Sequence, residues 1–215
     1  MVWKYRFMWY NYLWKMVYKM EHLGTVTLET ERLLLRKCEI DDYKDSFKYC
    51  CSDPELARLQ AFDAHENDQV TKRSFTEKAN RYLVDPSFYE WAIVRKEDNQ
   101  FMGEIALVHY NAEDNCIETG YHLGKAFRGK GYMQEALSEI LRFAFENLNL
   151  DQVYALILND NYSSQKVVKS NNLEYSGIIE DFTDEGESID KYSMTKDRYF
   201  ELKNKLHSNE FSKKL

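Results

Sequence analysis

Two glycines and two basic residues lie close together in one short segment of the chain. Residues 116–136 read CIETGYHLGKAFRGKGYMQEA, and Gly129 and Gly131 alternate there with Arg128 and Lys130. The residues before them alternate as in a β-strand, and those after them have the apolar spacing of a helix. The order strand, glycine loop, helix directs backbone N–H groups and the positive end of the helix dipole at one place, which suits a phosphate or pyrophosphate.

Two phosphate-binding motifs do not fit this loop. A P-loop needs a lysine and then Ser or Thr after its last glycine, but Tyr132 follows Gly131. The dinucleotide fingerprint needs a preceding parallel strand and a third glycine, and the sequence predicts neither. Two glycines alone would also suit an ordinary tight turn, so the surrounding elements must decide between a turn and a ligand site.

The composition favours one acidic domain. The chain has 215 residues, 44% of them hydrophobic, and a formal net charge of −7. We predict a single domain over residues 23–210, an N-terminal extension over 1–22 and a tail over 211–215. The first nineteen residues hold four cations and no acid, so the remainder is more acidic than the whole chain. This charge argues against a nucleic-acid partner and favours cationic partners such as amines.

The N-terminal segment and the cysteines set further limits. The longest uncharged run there, residues 7–14, is too short to span a bilayer, so we expect no membrane span. Residues 1–19 could be an interfacial helix, an arm packed on the domain or on a second subunit, or sequence upstream of a start at Met20. The four cysteines have no paired spacing and no histidine partners, which predicts free thiols, no metal and a cytoplasmic protein.

The spacing of apolar residues predicts the elements that precede the loop. They are a strand over 25–37 with a turn or bulge near Glu29, short helices from Asp41 and Asp53, a helix over 66–84, and strands over 88–95, 101–110 and 116–123. Polar turns of hairpin length separate the last three strands. These strands should therefore form an antiparallel meander.

The clearest helix follows the loop. Its apolar face consists of Met133, Leu137, Ile140, Leu141, Ala144 and Leu148. A strand over 152–158 comes next, and the order strand, helix, strand implies a right-handed crossover and a parallel pair. The chain should end with a helix from Ser163 or Ser164, a left-handed Asn172, strands over 174–181 and 188–195, and a helix from 196 to about 207. The fold class is therefore α+β with a mixed sheet.

These motifs also resemble a known family. HLGKAFRGKGYMQEAL resembles the acyl-CoA pyrophosphate loop of the GNAT superfamily of N-acetyltransferases, with Arg128 and Gly131 at two fixed positions and Met133 where Gly or Ala is usual. LETERLLLRKCEIDDY, IETGYHL and LNDNYSSQKVVKSNNLEYSG resemble segments of the branch that acetylates alanine or serine at ribosomal-protein N-termini. The resemblance implies a GNAT-like mixed, mostly antiparallel central sheet with one splayed parallel strand pair and helices on both faces.

The resemblance implies acetyl-CoA as co-substrate, without a metal. The implied cofactor contacts are Tyr121, His122, Leu123, Arg128, Gly129, Lys130, Gly131, Tyr132, Met133, Asn161 and Ser164. Backbone N–H groups from Arg128 to Met133 would hold the pyrophosphate. The backbone near Tyr121–Leu123 would stabilise charge that develops on the thioester oxygen.

Direct attack by an amine on the thioester needs a base, because an amine is mostly protonated at neutral pH. The resemblance makes Glu118 that base, although a carboxylate on a strand can also simply face solvent. Many family members protonate the leaving thiolate with a tyrosine, and Val168 stands at that position here. Ser164, Tyr121 or water are then the remaining proton donors.

The acceptor stays open at this stage. It would be a primary amine on a protein N-terminus or on a small molecule, in a pocket built by the early helices and the late hairpin, about residues 41–84 and 182–189. The aromatic candidates for this pocket are Phe62, Tyr82, Trp91 and Phe182. A non-catalytic acyl-CoA-binding module of the same fold is the alternative function. Whether the chain forms a homodimer also stays open.

Overall fold

The computed structural model describes residues 20–60, 62–180 and 186–212. The strands in chain order are β1 (Leu28–Glu29), β2 (Leu33–Arg36), β3 (Tyr89–Arg95), β4 (Gln100–Asn111), β5 (Cys116–Leu123), β6 (Gln152–Leu158), β7 (Glu174–Ile179) and β8 (Ile189–Thr195). They form one sheet in the order β1-β2-β3-β4-β5-β6-β8-β7. Every neighbouring pair is antiparallel except β5 and β6, which are parallel. The predicted mixed, mostly antiparallel sheet is confirmed.

The parallel pair is joined at one end and open at the other. Its ladder pairs Cys116 with Gln152, Ile117 with Val153, and Glu118 with Tyr154. Beyond Glu118, β5 stays paired with β4 up to Leu123, and β6 stays paired with β8 up to Leu158. The two strands therefore diverge. From Thr119 onward, the edge of β5 that faces β6 has no strand partner within the described residues.

Helices pack on both faces of the sheet, as predicted. The described residues contain α1 (Tyr43–Ser46), α2 (Pro54–Leu59), α3 (Asp68–Val84), α4 (Tyr132–Arg142), α5 (Tyr162–Ser170) and α6 (Lys196–Ser212). A 3-10 turn over Ile40–Asp42 leads into α1, and π-helical turns extend α1 over Phe47–Cys51 and α4 over Phe143–Asn147.

Two apolar clusters fill the space between the helices and the sheet. The larger one joins Leu137 and Ile140 of α4 to Trp91 of β3 and other residues of that sheet face. The smaller one, on the opposite face, includes Phe75 of α3 and Val94 of β3. Full burial of a Leu or Ile side chain contributes about 1.5–3 kcal/mol. All six residues of the predicted apolar face of α4 are buried.

Three local predictions need adjustment. The segment 25–37 is a hairpin of β1 and β2, because the chain turns where Thr30 N donates to the Leu33 carbonyl at 3.0 Å. Helix α5 begins at Tyr162, earlier than predicted, because the side chain of Asn161 caps it. Helix α6 continues past the predicted end to Ser212. The left-handed Asn172 is confirmed, with φ of 61°.

The folded body includes Met20, which precedes the predicted domain start at residue 23. Met20 is buried, and its N–H donates to the hydroxyl of Tyr110 at 3.4 Å. Predictions for residues 1–19, Phe182 and 213–215 lie outside the described residues. In the described part of the chain, no helix combines the length and the apolar character needed to cross a membrane.

Candidate active site

The glycine loop connects β5 to the N-terminus of α4. Gly129 and Gly131 have φ of 78° and 79°, a left-handed conformation that glycine adopts without steric cost. Gly131 is the N-cap of α4, and no side chain of the described residues accepts the N–H groups at this helix end. Because the first N–H groups of a helix lack intrahelical partners, these donors can bind an anion.

A first cavity of about 200 Å³ lies between this loop, β5 and α5. Ten of the eleven predicted cofactor residues line it, and Lys130 does not. The carbonyl of Lys130 accepts a hydrogen bond from Arg32 Nη1 at 3.0 Å, and its ammonium donates to the Ala126 carbonyl at 3.4 Å. The cavity is also lined by residues that were not predicted from the sequence, including Gln134 and Lys166.

Two charged side chains hold the loop in place. Arg128 Nε donates to the Leu123 carbonyl at 3.0 Å, so this side chain is tied to the end of β5. The Glu135 carboxylate accepts from Thr30 Oγ1 at 2.5 Å, from Arg32 N at 2.8 Å and from Arg32 Nε at 2.6 Å. Burial alone would raise the pKa of Glu135, but these hydrogen bonds lower it. Glu135 thus fixes the β1–β2 turn against α4, which suits a structural role.

Helix α5 supplies the opposite wall. Asn161 Oδ1 accepts from Ser164 N at 3.1 Å and from Ser163 Oγ at 3.0 Å. The Tyr121 hydroxyl donates to the Ser164 carbonyl at 3.1 Å, across the gap between the diverging strands. Burial raises the pKa of Tyr121, so its hydroxyl stays protonated. The structure therefore brings Tyr121, Asn161 and Ser164 together, whereas Val168 is fully buried in the core.

Glu118 occupies a different place. It lies in the last residue pair of the β5–β6 ladder and does not line the first cavity. Its Oε2 is 3.0 Å from Nδ1 of His109, whose side chain is 75% exposed. The assignment of Glu118 as the base stays a prediction, because the structure does not place it beside Tyr121 and Ser164.

A second cavity, of about 310 Å³, opens on the sheet face that α1 and α3 cover. It shares Gln60, Tyr121 and His122 with the first cavity. Of the predicted aromatic candidates, Phe62 lines it, whereas Trp91 is fully buried in the core.

The second cavity also contains an ionisable cluster of Lys78, Glu90, Glu104 and His122. Burial alone would lower the pKa of Lys78, but Glu104 and Glu90 raise it well above its usual range, so the ammonium stays charged. Burial and the charge of Lys78 lower the pKa of His122 to about 4, so its imidazole is neutral at neutral pH. Sequence reasoning missed Lys78, Glu90 and Glu104. The available signal was a pair of acids inside otherwise apolar strands, EWAIV and FMGEIALV.

Comparison with known proteins decides the family. The family model described as "Acetyltransferase (GNAT) domain" matches residues 32–174, more than half of the chain. The chain belongs to the GNAT acetyltransferases. This GNAT protein is 30% identical over 170 residues to the uncharacterized N-acetyltransferase p20 of Bacillus licheniformis, a match that covers 79% of the chain and 94% of p20. The chain is therefore an acyltransferase.

Two solved structures show the same fold. Ribosomal-protein-S5-alanine acetyltransferase from Vibrio fischeri has a TM-score of 0.68 and 19% identity, and the match covers 80% of this GNAT chain and 97% of that one. Spermidine N-acetyltransferase from Vibrio cholerae, in complex with CoA and spermine, has a TM-score of 0.67 and 16% identity, with 80% and 99% covered. In the described residues no group of His, Cys, Asp and Glu side chains is arranged to hold a metal ion. All four cysteines are free, as predicted, and all four are buried.

Proposed function

We propose that this GNAT protein transfers an acetyl group from acetyl-CoA to a primary amine by direct attack, without a covalent enzyme intermediate. One observation carries the proposal: a single cavity joins the uncapped N-terminus of α4 to the open edge of β5. The first feature supplies donors for a pyrophosphate, and the second supplies backbone groups for an extended pantetheine arm.

The residues of the first cavity fit acetyl-CoA. The N–H groups between Gly129 and Met133 are the proposed pyrophosphate donors, with Arg128 and Lys166 adding positive charge. Acetyl-CoA supplies the thioester, and the backbone of Tyr121–Leu123 lies where the thioester oxygen would need donors. Asn161 and Ser164 close the opposite side of the cavity.

We also propose catalytic roles for Glu118, Tyr121 and Ser164. Tyr121 and Ser164 line the first cavity and contact each other, which supports one of them as the proton donor to the leaving thiolate. Glu118 is the proposed base from the family resemblance alone. We further propose that residues 23–210 form one N-acetyltransferase domain. We also propose that this domain lies in the cytoplasm, and the free cysteines support that location. A homodimer stays a prediction.

The acceptor we propose is a primary amine on a protein N-terminus or a small molecule. The names of the two structural neighbours include one acceptor of each kind, a ribosomal protein and a polyamine. The acidic net charge of −7 supports an amine in either case, because it favours the approach of a cation.

A thiol-release assay with acetyl-CoA tests this function. The acceptors would be n-butylamine, spermidine and an alanine-initiated peptide, and 1-butanol and the N-acetylated peptide are matched controls. We expect calorimetry to show CoA binding, and thiol release to depend on a free amine and to yield an amide by mass spectrometry. CoA binding without turnover of any amine would support an acyl-CoA-binding module instead. Absence of CoA binding would exclude both functions.

A further inference from the structure

Four ionisable side chains from four elements meet in the second cavity. Lys78 comes from α3, Glu90 from β3, Glu104 from β4 and His122 from β5. The register of the sheet sets this arrangement, because Glu104 lies directly opposite His122 across β4 and β5. The walls of the first cavity do not include Lys78, Glu90 or Glu104, so CoA binding gives these three residues no role.

The two oxygens of Glu104 have different surroundings. Oε1 accepts hydrogen bonds from Lys78 Nζ at 2.6 Å and from Cys38 Sγ at 3.3 Å. Oε2 lies 3.5 Å from His122 Nε2, and that buried nitrogen has no hydrogen-bond partner among the described residues. A buried polar atom without a partner is costly. With the imidazole proton on Nδ1, Nε2 and Oε2 form a pair of acceptors at the cavity wall, which suits a ligand with two N–H donors.

With both carboxylates ionised, the cluster has an excess of negative charge. Lys78 Nζ also lies 2.7 Å from Glu90 Oε1, so one ammonium is shared by two carboxylates. The neutral His122 adds no positive charge. Burial and the charge of Glu104 raise the pKa of Glu90. A further cation in the cavity would relieve this repulsion, and a single positive charge would balance the cluster.

His122 is the member of the cluster that also borders the first cavity. A group that contacts its Nε2 would thus lie next to the β5 backbone at Tyr121–Leu123, where the proposed thioester oxygen finds its donors. Phe62 and Ala106 line the second cavity and offer apolar surface for the rest of the ligand.

We propose that Glu104 and His122 bind the primary ammonium group of the acceptor and that His122 Nε2, in place of Glu118, accepts its proton, with a small apolar stem against Phe62 and Ala106. This inference rests on the proposed function, because it needs acetyl-CoA in the first cavity. Lys78 is a positioning residue: it holds Glu104 Oε1 and leaves the cluster one negative charge in excess. The site therefore favours a singly charged amine over a diamine.

The acceptor nitrogen forms a bond to the acetyl carbonyl carbon while the carbon–sulfur bond breaks. The ammonium group gives up two protons in all. One passes to His122 Nε2 and then to solvent, and the other ends on the CoA sulfur as a thiol. A neutral imidazole can accept that proton, but its low pKa makes the transfer uphill, so the step relies on the charge of Glu104, 3.5 Å away, to stabilise the imidazolium that forms.

Calorimetry with n-butylamine and the CoA-saturated protein tests the binding step without turnover. We expect Glu104→Gln to weaken n-butylamine binding at least ~10-fold and to leave CoA affinity unchanged, because a hydrogen bond to a charged group is lost. For the wild type, 1-butanol and 1,4-diaminobutane should bind more weakly than n-butylamine. Glu139→Gln is the control: it removes a carboxylate that pairs with Arg142 outside both cavities, and it should match the wild type.

Steady-state kinetics test the proton transfer. Gln at position 122 can accept a hydrogen bond but cannot take a proton, so for His122→Gln we expect kcat to fall at least ~100-fold with KM for n-butylamine within about threefold. An unchanged kcat would overturn the role of His122, even if Glu104→Gln failed to fold. Failure of n-butylamine to bind the wild-type CoA complex would overturn the site. Transfer to other amines would then still support the proposed function, which fails only if the wild type binds no CoA or acetylates no amine.

Discussion

The two cavities are built in different ways. The first takes its proposed donors from the backbone of one nearly continuous segment, Tyr121 to Gln134, and α5 closes it. The second is defined by side chains from α3, β3, β4 and β5, which are far apart in the chain. A site made of backbone N–H groups depends on local conformation, whereas a cluster of side chains depends on strand register and helix packing. This difference predicts that substitutions in the two cavities affect different substrates.

The largest expected effect is that of Gly131→Val on CoA binding. A β-branched residue is strained at a φ of 79°, and a Cβ there would lie 3.4 Å from Arg32 Nη2. We expect CoA affinity to fall at least ~100-fold by calorimetry, because the N–H donors would move away from the pyrophosphate. Circular dichroism should show an intact fold.

Gly24→Val is the matched control for this substitution. Gly24 has a similar φ of 67° and lies near Pro86, and it lines neither cavity. Both variants should therefore lose stability, but only Gly131→Val should lose CoA. Equal CoA affinity in the two variants would mean that the loop conformation does not set the pyrophosphate site.

The same difference explains what the sequence could predict. The apolar spacing of α4 and the polar turns of the meander are local patterns, and the predicted helix and strands agree with the structure. The cluster around Glu104 was not predictable in this way. It depends on the pairing of Glu104 with His122 and on the reach of Lys78 across the sheet face, and both follow from tertiary packing. Lys130 likewise does not line the first cavity, because its ammonium donates to the Ala126 carbonyl.

The second-largest expected effect concerns stability at low pH, and it comes from His122 in the second cavity. His122 has a pKa of about 4 in the folded protein and an ordinary value of 6.5. The unfolded chain therefore binds more protons between these values, so the stabilising contribution is present above pH 6.5 and is lost as the pH falls toward 4. The charged groups that surround the imidazole are Lys78, Glu90, Glu104 and Arg128.

We expect the free energy of unfolding of the wild type to fall by about 2 kcal/mol more than that of His122→Gln between pH 7 and pH 5. Urea unfolding at both pH values gives this difference. The carboxylates titrate in both the wild type and the variant, so their contributions cancel in the difference between the two proteins. Parallel losses in the two proteins would show that the imidazole is not held neutral by its surroundings.

A smaller effect should come from the cap of α5, at the wall of the first cavity. Asn161→Ala removes the acceptor for Ser164 N and should cost about 1 kcal/mol of stability. Asn67→Ala is a matched control, because Asn67 caps α3 in the same way and lines neither cavity. Both variants should lose similar stability in urea unfolding, while only Asn161→Ala weakens CoA binding. Equal CoA affinity would remove Asn161 from the binding site.

The smallest effect we expect is that of Glu118→Gln, which decides between Glu118 and His122 as the base. Glu118 lies outside both cavities beside the exposed His109, whereas Glu104 lies beside His122 in the second cavity. If the acceptor binds at Glu104, the loss of the Glu118 charge acts only at a distance, and turnover should fall a few-fold at most, about 1 kcal/mol or less. The measurement is kcat against pH for Glu118→Gln and His122→Gln with n-butylamine. A loss with Glu118→Gln that equals or exceeds that with His122→Gln, and that grows toward low pH, would return the proton to Glu118, because deprotonation of the amine limits turnover most under those conditions.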